Sequence, residues 1–232
     1  MDEEFVRAVQ SFWVTRDTAS TKQRENGRMD IGTRGAVTGG GQMSALEGLV
    51  VQHLTEVGLP DLDIRIRKGL ELPGFFRPEK KWDLVALSRG QLVCALEFKS
   101  QVGPSFGNNF NNRSEEAIGN AVDLWTAYRE GRFGNAPRPF LGFFFLLEDC
   151  PKVHKPLKLQ EPHFEADPLF QGATYAHRYE HLCRRLVLER HYDAACLTLA
   201  SNEKKTAVTH PAEDLGFERF IKDLQASAQR LS

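Results

Sequence analysis

The sequence predicts an α/β fold, a mixed β-sheet flanked by helices, and three observations predict it. Two strand-like runs, Lys81–Leu87 and Leu92–Ser100, flank the turn Ser-Arg-Gly-Gln and read as a β-hairpin. Phe140–Leu147 is nearly all apolar, as expected of a strand buried on both faces. Between them Ser114–Glu130 is amphipathic with a helical period, through Ile118, Ala121, Leu124, Trp125 and Tyr128, and stops at Gly131.

Taken in order, Glu3–Val14 reads as a helix with Phe5, Val6, Val9, Phe12 and Trp13 on or near one face. Thr15–Gln42 is polar and Gly-rich and carries Lys22, Arg24, Arg28 and Arg34; it reads as a long basic loop, either gripping phosphates or solvated. Met43–Val57 is a second helix, stopped by Gly58 and Pro60. Asp63–Lys68 is a first strand, with Ile64 and Ile66 alternating. After the hairpin, Gln101–Asn112 reads as a loop of Gly, Asn, Pro and Ser. A loop over about 148–172, a helix Thr174–Glu189, a strand Ala195–Ala200 and a helix Leu215–Leu231 complete a chain read as one domain over residues 1–232.

Composition sets bounds on function. The 232 residues are 41% hydrophobic and 26% charged, enough for a sizeable core. No apolar run reaches the length of a membrane span, and the start Met-Asp-Glu-Glu-Phe lacks the pattern of a signal peptide, so a cytoplasmic protein is expected. A net charge of −1 argues against a surface that coats nucleic acid indiscriminately, but leaves room for a local basic cleft. Cys94, Cys150, Cys183 and Cys196 form no CxxC pair, so neither structural zinc nor a disulfide framework is expected. His177 and His181, at i and i+4, lack the Glu and third ligand of a zinc site and read as a helix-surface pair.

Chemistry concentrates in Lys81–Ser100. Alternation sends Leu92, Cys94, Leu96 and Phe98 to one face and Val93, Ala95, Glu97 and Lys99 to the other. Two charges then stand side by side after two apolar residues, against the usual logic of burial. A three-residue loop centred on Gly90 would set Asp83 opposite Glu97; a two-residue loop would shift the register and spoil the pairing. Two carboxylates and an ammonium would then suit a hard cation such as Mg²⁺ with a phosphate oxygen. Lys99 would orient water, accept its proton if its own pKa is depressed, or neutralise developing charge. Glu47 falls within the apolar stripe Met43–Glu47–Val50–Leu54 and needs either a partner or a route to solvent. The competing reading of Glu97 and Lys99 is a surface ion pair at a strand edge. Glu79-Lys80-Lys81 repeats the Glu-x-Lys spacing, but lies in a polar segment with no apolar strand around it.

Leu72-Pro73-Gly74, Arg77-Pro78, Lys81-Trp82-Asp83-Leu84, Glu97-x-Lys99-Ser100 and the block Val102–Arg113 with Glu115-Glu116-Ala117-Ile118-Gly119 resemble the XhoI family of type II restriction endonucleases, in the PD-(D/E)XK nuclease superfamily. The resemblance implies an αβββαβ core with Asp83, Glu97 and Lys99 as catalytic residues, and Mg²⁺ held by Asp83, Glu97 and Glu47. It further implies a homodimer cutting double-stranded DNA at a palindromic hexanucleotide, CTCGAG, in a host with a methyltransferase of matching specificity. A repair or recombination nuclease of the same superfamily, and a non-catalytic DNA-binding module, are the alternatives.

Asn108, Asn109, Asn111 and Asn112 flank Phe110 and precede Arg113. Asn pairs with adenine and Arg with guanine in the major groove, so these five residues are candidates for contact with DNA. The competing reading is conformational: Asn favours turns, and Asn112 or Ser114 would cap the next helix. Lys152, Lys155 and Lys158 invite the same two readings as the basic loop.

Overall fold

A computed structural model describes residues 2–25, 41–161, 163–203 and 206–230. Two helices come first, α1 (Glu3–Glu25) and α2 (Ser44–Thr55). Five strands follow: β1 (Asp63–Arg65), β2 (Glu71–Pro73), β3 (Glu79–Lys81), β4 (Leu84–Ser88) and β5 (Gln91–Gln101). Then come α3 (Phe106–Arg129), β6 (Phe140–Glu148), α4 (Tyr175–Leu188), β7 (Ala194–Ala200), β8 (Val208–Thr209) and α5 (Phe217–Gln229). Six strands form a mixed sheet in the order β1-β4-β5-β6-β7-β8, while β2 and β3 make a separate two-stranded hairpin. The α/β class and the αβββαβ succession are present as α2, β1, β4, β5, α3 and β6, with the small hairpin inserted after β1.

The middle of the sheet is parallel, β5 with β6 and β6 with β7, and the edges are antiparallel. Every residue of β6 from Phe140 to Leu147 is buried, because each face of the sheet carries its own core. One core packs α1, α2 and α5 on Leu84, Leu96, Phe98 and Phe144. The other packs α3 and α4 on Val85, Ala95, Phe143 and Phe145.

The β4–β5 hairpin departs from expectation in an instructive way. Its turn has two residues, Arg89 and Gly90, both at positive φ, rather than three. Taken alone this would misplace Asp83. A bulge restores the register: Leu87 pairs with Leu92 but Ala86 pairs with Cys94, leaving Val93 as the extra residue. Leu84 then pairs with Leu96, and the next position sets Asp83 against Glu97. The bulge also swaps the two residues before it. Val93 joins Cys94, Leu96 and Phe98 in one core, and Leu92 joins Ala95 in the other, the reverse of the faces that unbroken alternation assigns.

Two segments read as loops are helical. α1 does not end at Val14 but runs to Glu25, so residues 15–25 leave the expected 15–42 loop. No apolar stripe marks this half. The Thr18 and Thr21 hydroxyls donate to the carbonyls of Val14 and Asp17, Arg16 donates to Gln42, and Asn202 donates to Asp17. Residues 26–40, with Arg28 and Arg34, lie outside the described residues. The Asn-rich block is the start of α3, not a loop. Phe106 and Phe110, one turn apart, pack on Tyr175 and Tyr179 and hold the backbone helical against the turn preference of Asn. Ser114 is therefore no cap: its hydroxyl donates to Phe110 O inside the helix, and the N-cap position belongs to Ser105. The first sheet strand is shorter than expected, ending at Arg65, and β2, β3 and β8 were not foreseen.

Candidate active site

Asp83, Glu97 and Lys99 come together at the C-terminal half of β5. Lys99 Nζ forms an ion pair with Glu97 Oε1 and lies 3.6 Å from Asp83 Oδ2. The Phe98 amide donates to Asp83 Oδ2 at 2.8 Å, which fixes that carboxylate against the strand. Glu97 is almost fully buried, its side chain 2% exposed. Burial works to raise its pKa, but Lys99 and then Lys80 outweigh it and hold the carboxyl below its ordinary value. Burial likewise works to lower Lys99, and Glu97 and Asp83 outweigh it, so Lys99 is held above its ordinary value as an ammonium. That direction favours the ammonium form of Lys99 in the metal-free protein.

These groups adjoin a cleft of about 680 Å³, whose lining includes Glu47, Asp83 and Lys99. Four cationic side chains, Arg67, Lys81, Lys99 and Arg113, line it against two carboxylates, so a cationic cleft exists despite the net charge of −1. Glu47 enters from α2. Burial lifts its carboxyl to about 7, Asp83 adds to the rise and Arg67 opposes it. Asp83 is also raised, chiefly by burial, with Glu97 adding and Lys99, the Phe98 amide and Lys80 opposing.

Among the described residues no three His, Cys, Asp or Glu side chains gather as a metal-holding cluster. Glu97 is instead occupied by cations, so Asp83, Glu97 and Glu47 do not form a ready-made three-carboxylate cage. Magnesium does not require one, since it commonly takes one or two carboxylates and completes its shell with water and phosphate. Asp83 and Glu47 fit that more modest demand. The charge of Asp83 destabilises the Glu47 anion, and a divalent cation beside them would reverse the effect.

Glu47 yields a first prediction. A carboxyl raised from about 4.5 to about 7 on folding costs stability as pH rises through that window, and the cost is constant above it. Glu47→Gln should therefore be more stable than the parent at pH 8 without divalent cations, by about 1–2 kcal/mol after allowing for partial exposure. The gap should be several-fold smaller at pH 5 and close below the ordinary carboxylate value. Thermal melts at the two pH values check this, and an equal gap at both would remove Glu47 as the titrating group.

The expected DNA-reading residues do not share one face. Asn108, Asn111 and Asn112 are exposed on the outer side of the first turns of α3. Asn109 is half-buried, and Arg113, one turn later on the same edge, lines the cleft while donating to Glu116 at 2.6 Å. His177 and His181 lie on α4 away from this cleft lining. Lys152 donates to Pro104 O and lies over the Phe106 ring.

Sequence reasoning passed over Lys80. Its Nζ lies 2.5 Å from Glu97 Oε2 and 4.2 Å from the centre of the Trp82 ring. The run Glu79-Lys80-Lys81 has no apolar alternation of its own. The available signal was the period of two that puts Lys80 on the same side as the buried Trp82. Asn120, whose Nδ2 donates to Glu97 Oε1 at 3.4 Å, carried no signal beyond its place on the helix.

The chain is similar to known proteins over most of its length. The family model described as restriction endonuclease XhoI matches residues 22–212. Type II restriction enzyme BstVI of Geobacillus stearothermophilus is 46% identical over 202 residues, covering 84% of this chain and 90% of that protein. Type II restriction enzyme XhoI of Xanthomonas vasicola is 46% identical over 183 residues, 78% of this chain and 73% of that protein. Type II restriction enzyme AbrI of Azospirillum brasilense is 48% identical over 174 residues, 72% and 78% respectively. No solved structure matches the chain. A family model that spans most of the chain, and three relatives that are nearly half identical to it, carry one conclusion: the chain belongs to the XhoI family of type II restriction endonucleases, which are site-specific deoxyribonucleases.

Proposed function

We propose that this chain is a single endonuclease domain that hydrolyses both strands of a DNA duplex at the palindrome CTCGAG, with Mg²⁺ as cofactor and Asp83, Glu97 and Lys99 as its catalytic centre. The observation that carries the proposal is the meeting of those three side chains beside a cleft lined by four cations. Restriction enzymes act on double-stranded DNA, and type II enzymes generally need a divalent metal. Asp83 would hold the cation with Glu47 or Glu97, and when bound it supplies polarisation of the scissile phosphate and a more acidic water.

The protein's own groups do the rest. Lys99, kept as an ammonium by Glu97 and Asp83, stabilises negative charge that develops on the phosphoryl oxygens. The Phe98 amide keeps Asp83 turned toward the cleft. Arg67, Lys81 and Arg113 draw the phosphate backbone in. Asn109 and Arg113 on one edge of α3, and Asn108, Asn111 and Asn112 on its outer side, are the candidates for reading base edges. A homodimer matches a palindromic site by symmetry, and a methyltransferase of the same specificity would protect the DNA of a host that keeps this enzyme in its cytoplasm.

Digestion of a plasmid of known sequence tests the reading. With Mg²⁺ the expected products are discrete fragments whose sequenced ends all fall in CTCGAG, and EDTA should prevent cutting. Fragments ending at another palindrome would overturn the site while keeping the activity. A retarded but uncut plasmid would overturn the catalytic reading.

A further inference from the structure

We infer that the β2–β3 hairpin is a positioning clamp for Glu97: Lys80 holds one carboxylate oxygen, and Arg77 holds the other through Asn120. The inference rests on the reading of Glu97 as part of the catalytic centre. It also accounts for the run Leu72-Pro73-Gly74 with Arg77-Pro78, which no step of the proposed reaction uses.

The hydrogen bonds form two arms that meet on one buried carboxylate. In the short arm Lys80 Nζ lies 2.5 Å from Glu97 Oε2, with the lysine side chain 11% exposed. Its position over the Trp82 ring, 4.2 Å from the centre, stabilises the ammonium from the other side. The long arm begins at Asp123 on α3, whose side chain is 5% exposed. Its Oδ1 accepts from the amides of Phe75 and Phe76, at 2.8 Å each, and its Oδ2 accepts from Arg77 Nε at 2.6 Å. Arg77 Nη2 then donates to Asn120 Oδ1 at 2.7 Å, and Asn120 Nδ2 donates to Glu97 Oε1 at 3.4 Å.

Chemistry orients this chain. A guanidinium has only donors, so it draws the amide oxygen of Asn120 toward itself and leaves the NH₂ to face Glu97, which as a carboxylate can only accept. Arg77 thereby decides which way Asn120 points. The tip of the hairpin is closed tightly enough to hold Arg77 in place: a Cβ on Gly74 would lie 2.5 Å from Asp123 Oδ2 and 2.6 Å from the Arg77 carbonyl oxygen. With both oxygens of Glu97 engaged, the plane of its carboxylate is set, and so is the place where it holds Lys99. Lys80, Arg77, Asn120 and Asp123 act through Glu97 and are positioning residues.

The test is single-turnover cleavage, at saturating enzyme and Mg²⁺, of a plasmid that the unaltered protein cuts, alongside duplex affinity and melting temperature for each variant. Lys80→Met and Asn120→Ala are each expected to slow cleavage by about 10- to 100-fold, while duplex affinity changes less than about threefold. Because Arg77 works through Asn120, the Arg77→Ala/Asn120→Ala pair should be within about threefold of Asn120→Ala alone, whereas Lys80→Met/Asn120→Ala should be slower than either single variant. A purely structural hairpin would instead lower the melting temperature, with Arg77 and Asn120 effects that multiply, and that result overturns the clamp. Should Lys80→Met not fold, Asn120→Ala and the Arg77 pair decide, since neither removes an ion-pair partner of Glu97. Glu97→Gln separates the two levels: if it still cuts, the catalytic reading itself falls. If it is inactive while Asn120→Ala cleaves at the parent rate, only the clamp falls.

Discussion

Glu97→Ala is expected to abolish DNA cutting, with the single-turnover rate reduced on the order of 10³-fold or more. Glu97 is the junction on which Lys99, Lys80 and Asn120 all converge. Its loss takes the ion-pair partner from Lys80, which keeps only the Lys81 carbonyl, and leaves Lys99 with Asp83 alone, and breaking a buried pair costs up to about 3–5 kcal/mol. The melting temperature should therefore fall together with activity, and duplex binding should be compared below the new melting point. Lys99→Ala isolates the chemistry more cleanly. Glu97 keeps Lys80, so the fold should lose less, yet the fixed positive charge beside Asp83 is gone and cutting should again be abolished. Cleavage of plasmid DNA and thermal melting of each variant check both expectations. Full activity in either variant would remove the assigned centre.

The part of the site that is legible in the sequence follows from periodicity. Period two over Ala95–Lys99 put Glu97 and Lys99 on one face, and that face holds in the structure. The same rule failed at Leu92 and Val93, because a bulge is a local insertion that alternation cannot register. The two-residue turn and the bulge are compensating departures, so Asp83 faces Glu97 although the loop length that seemed to require it is absent. The second half of α1 and the first turns of α3 escaped for the opposite reason. Their helicity is held by tertiary partners, Gln42 and Asn202 for one and Tyr175 and Tyr179 for the other, not by a local pattern. Asn120 escaped because a hydrogen bond across 23 residues leaves no mark on the sequence near either end, and Lys80 because the period of two it shares with Trp82 does not name a partner 17 residues away.

Phe144→Ala should have a large effect on stability, about 3–5 kcal/mol, which for a chain of this size lowers the melting temperature by roughly 10 °C. Phe144 is fully buried at the centre of β6, the strand flanked by β5 and β7. Its ring lies 5.3 Å from that of Phe98 on β5 and 6.4 Å from those of Phe5 on α1 and Phe217 on α5. One side chain therefore joins the sheet to the two helices at opposite ends of the chain, and its removal leaves a cavity among these rings. The consequence reaches the site through Phe98, which stands between Glu97 and Lys99 and gives its amide to Asp83. Phe144→Leu should recover most of the stability by restoring apolar volume. A fall of less than about 3 °C in Phe144→Ala, measured by thermal melting, would mean that the core on this face is not a single packed unit. Proper unfolding at the lower temperature, with cleavage below it slowed more than duplex binding, would place the origin of the precision of Glu97 and Lys99 in the apolar strand behind them.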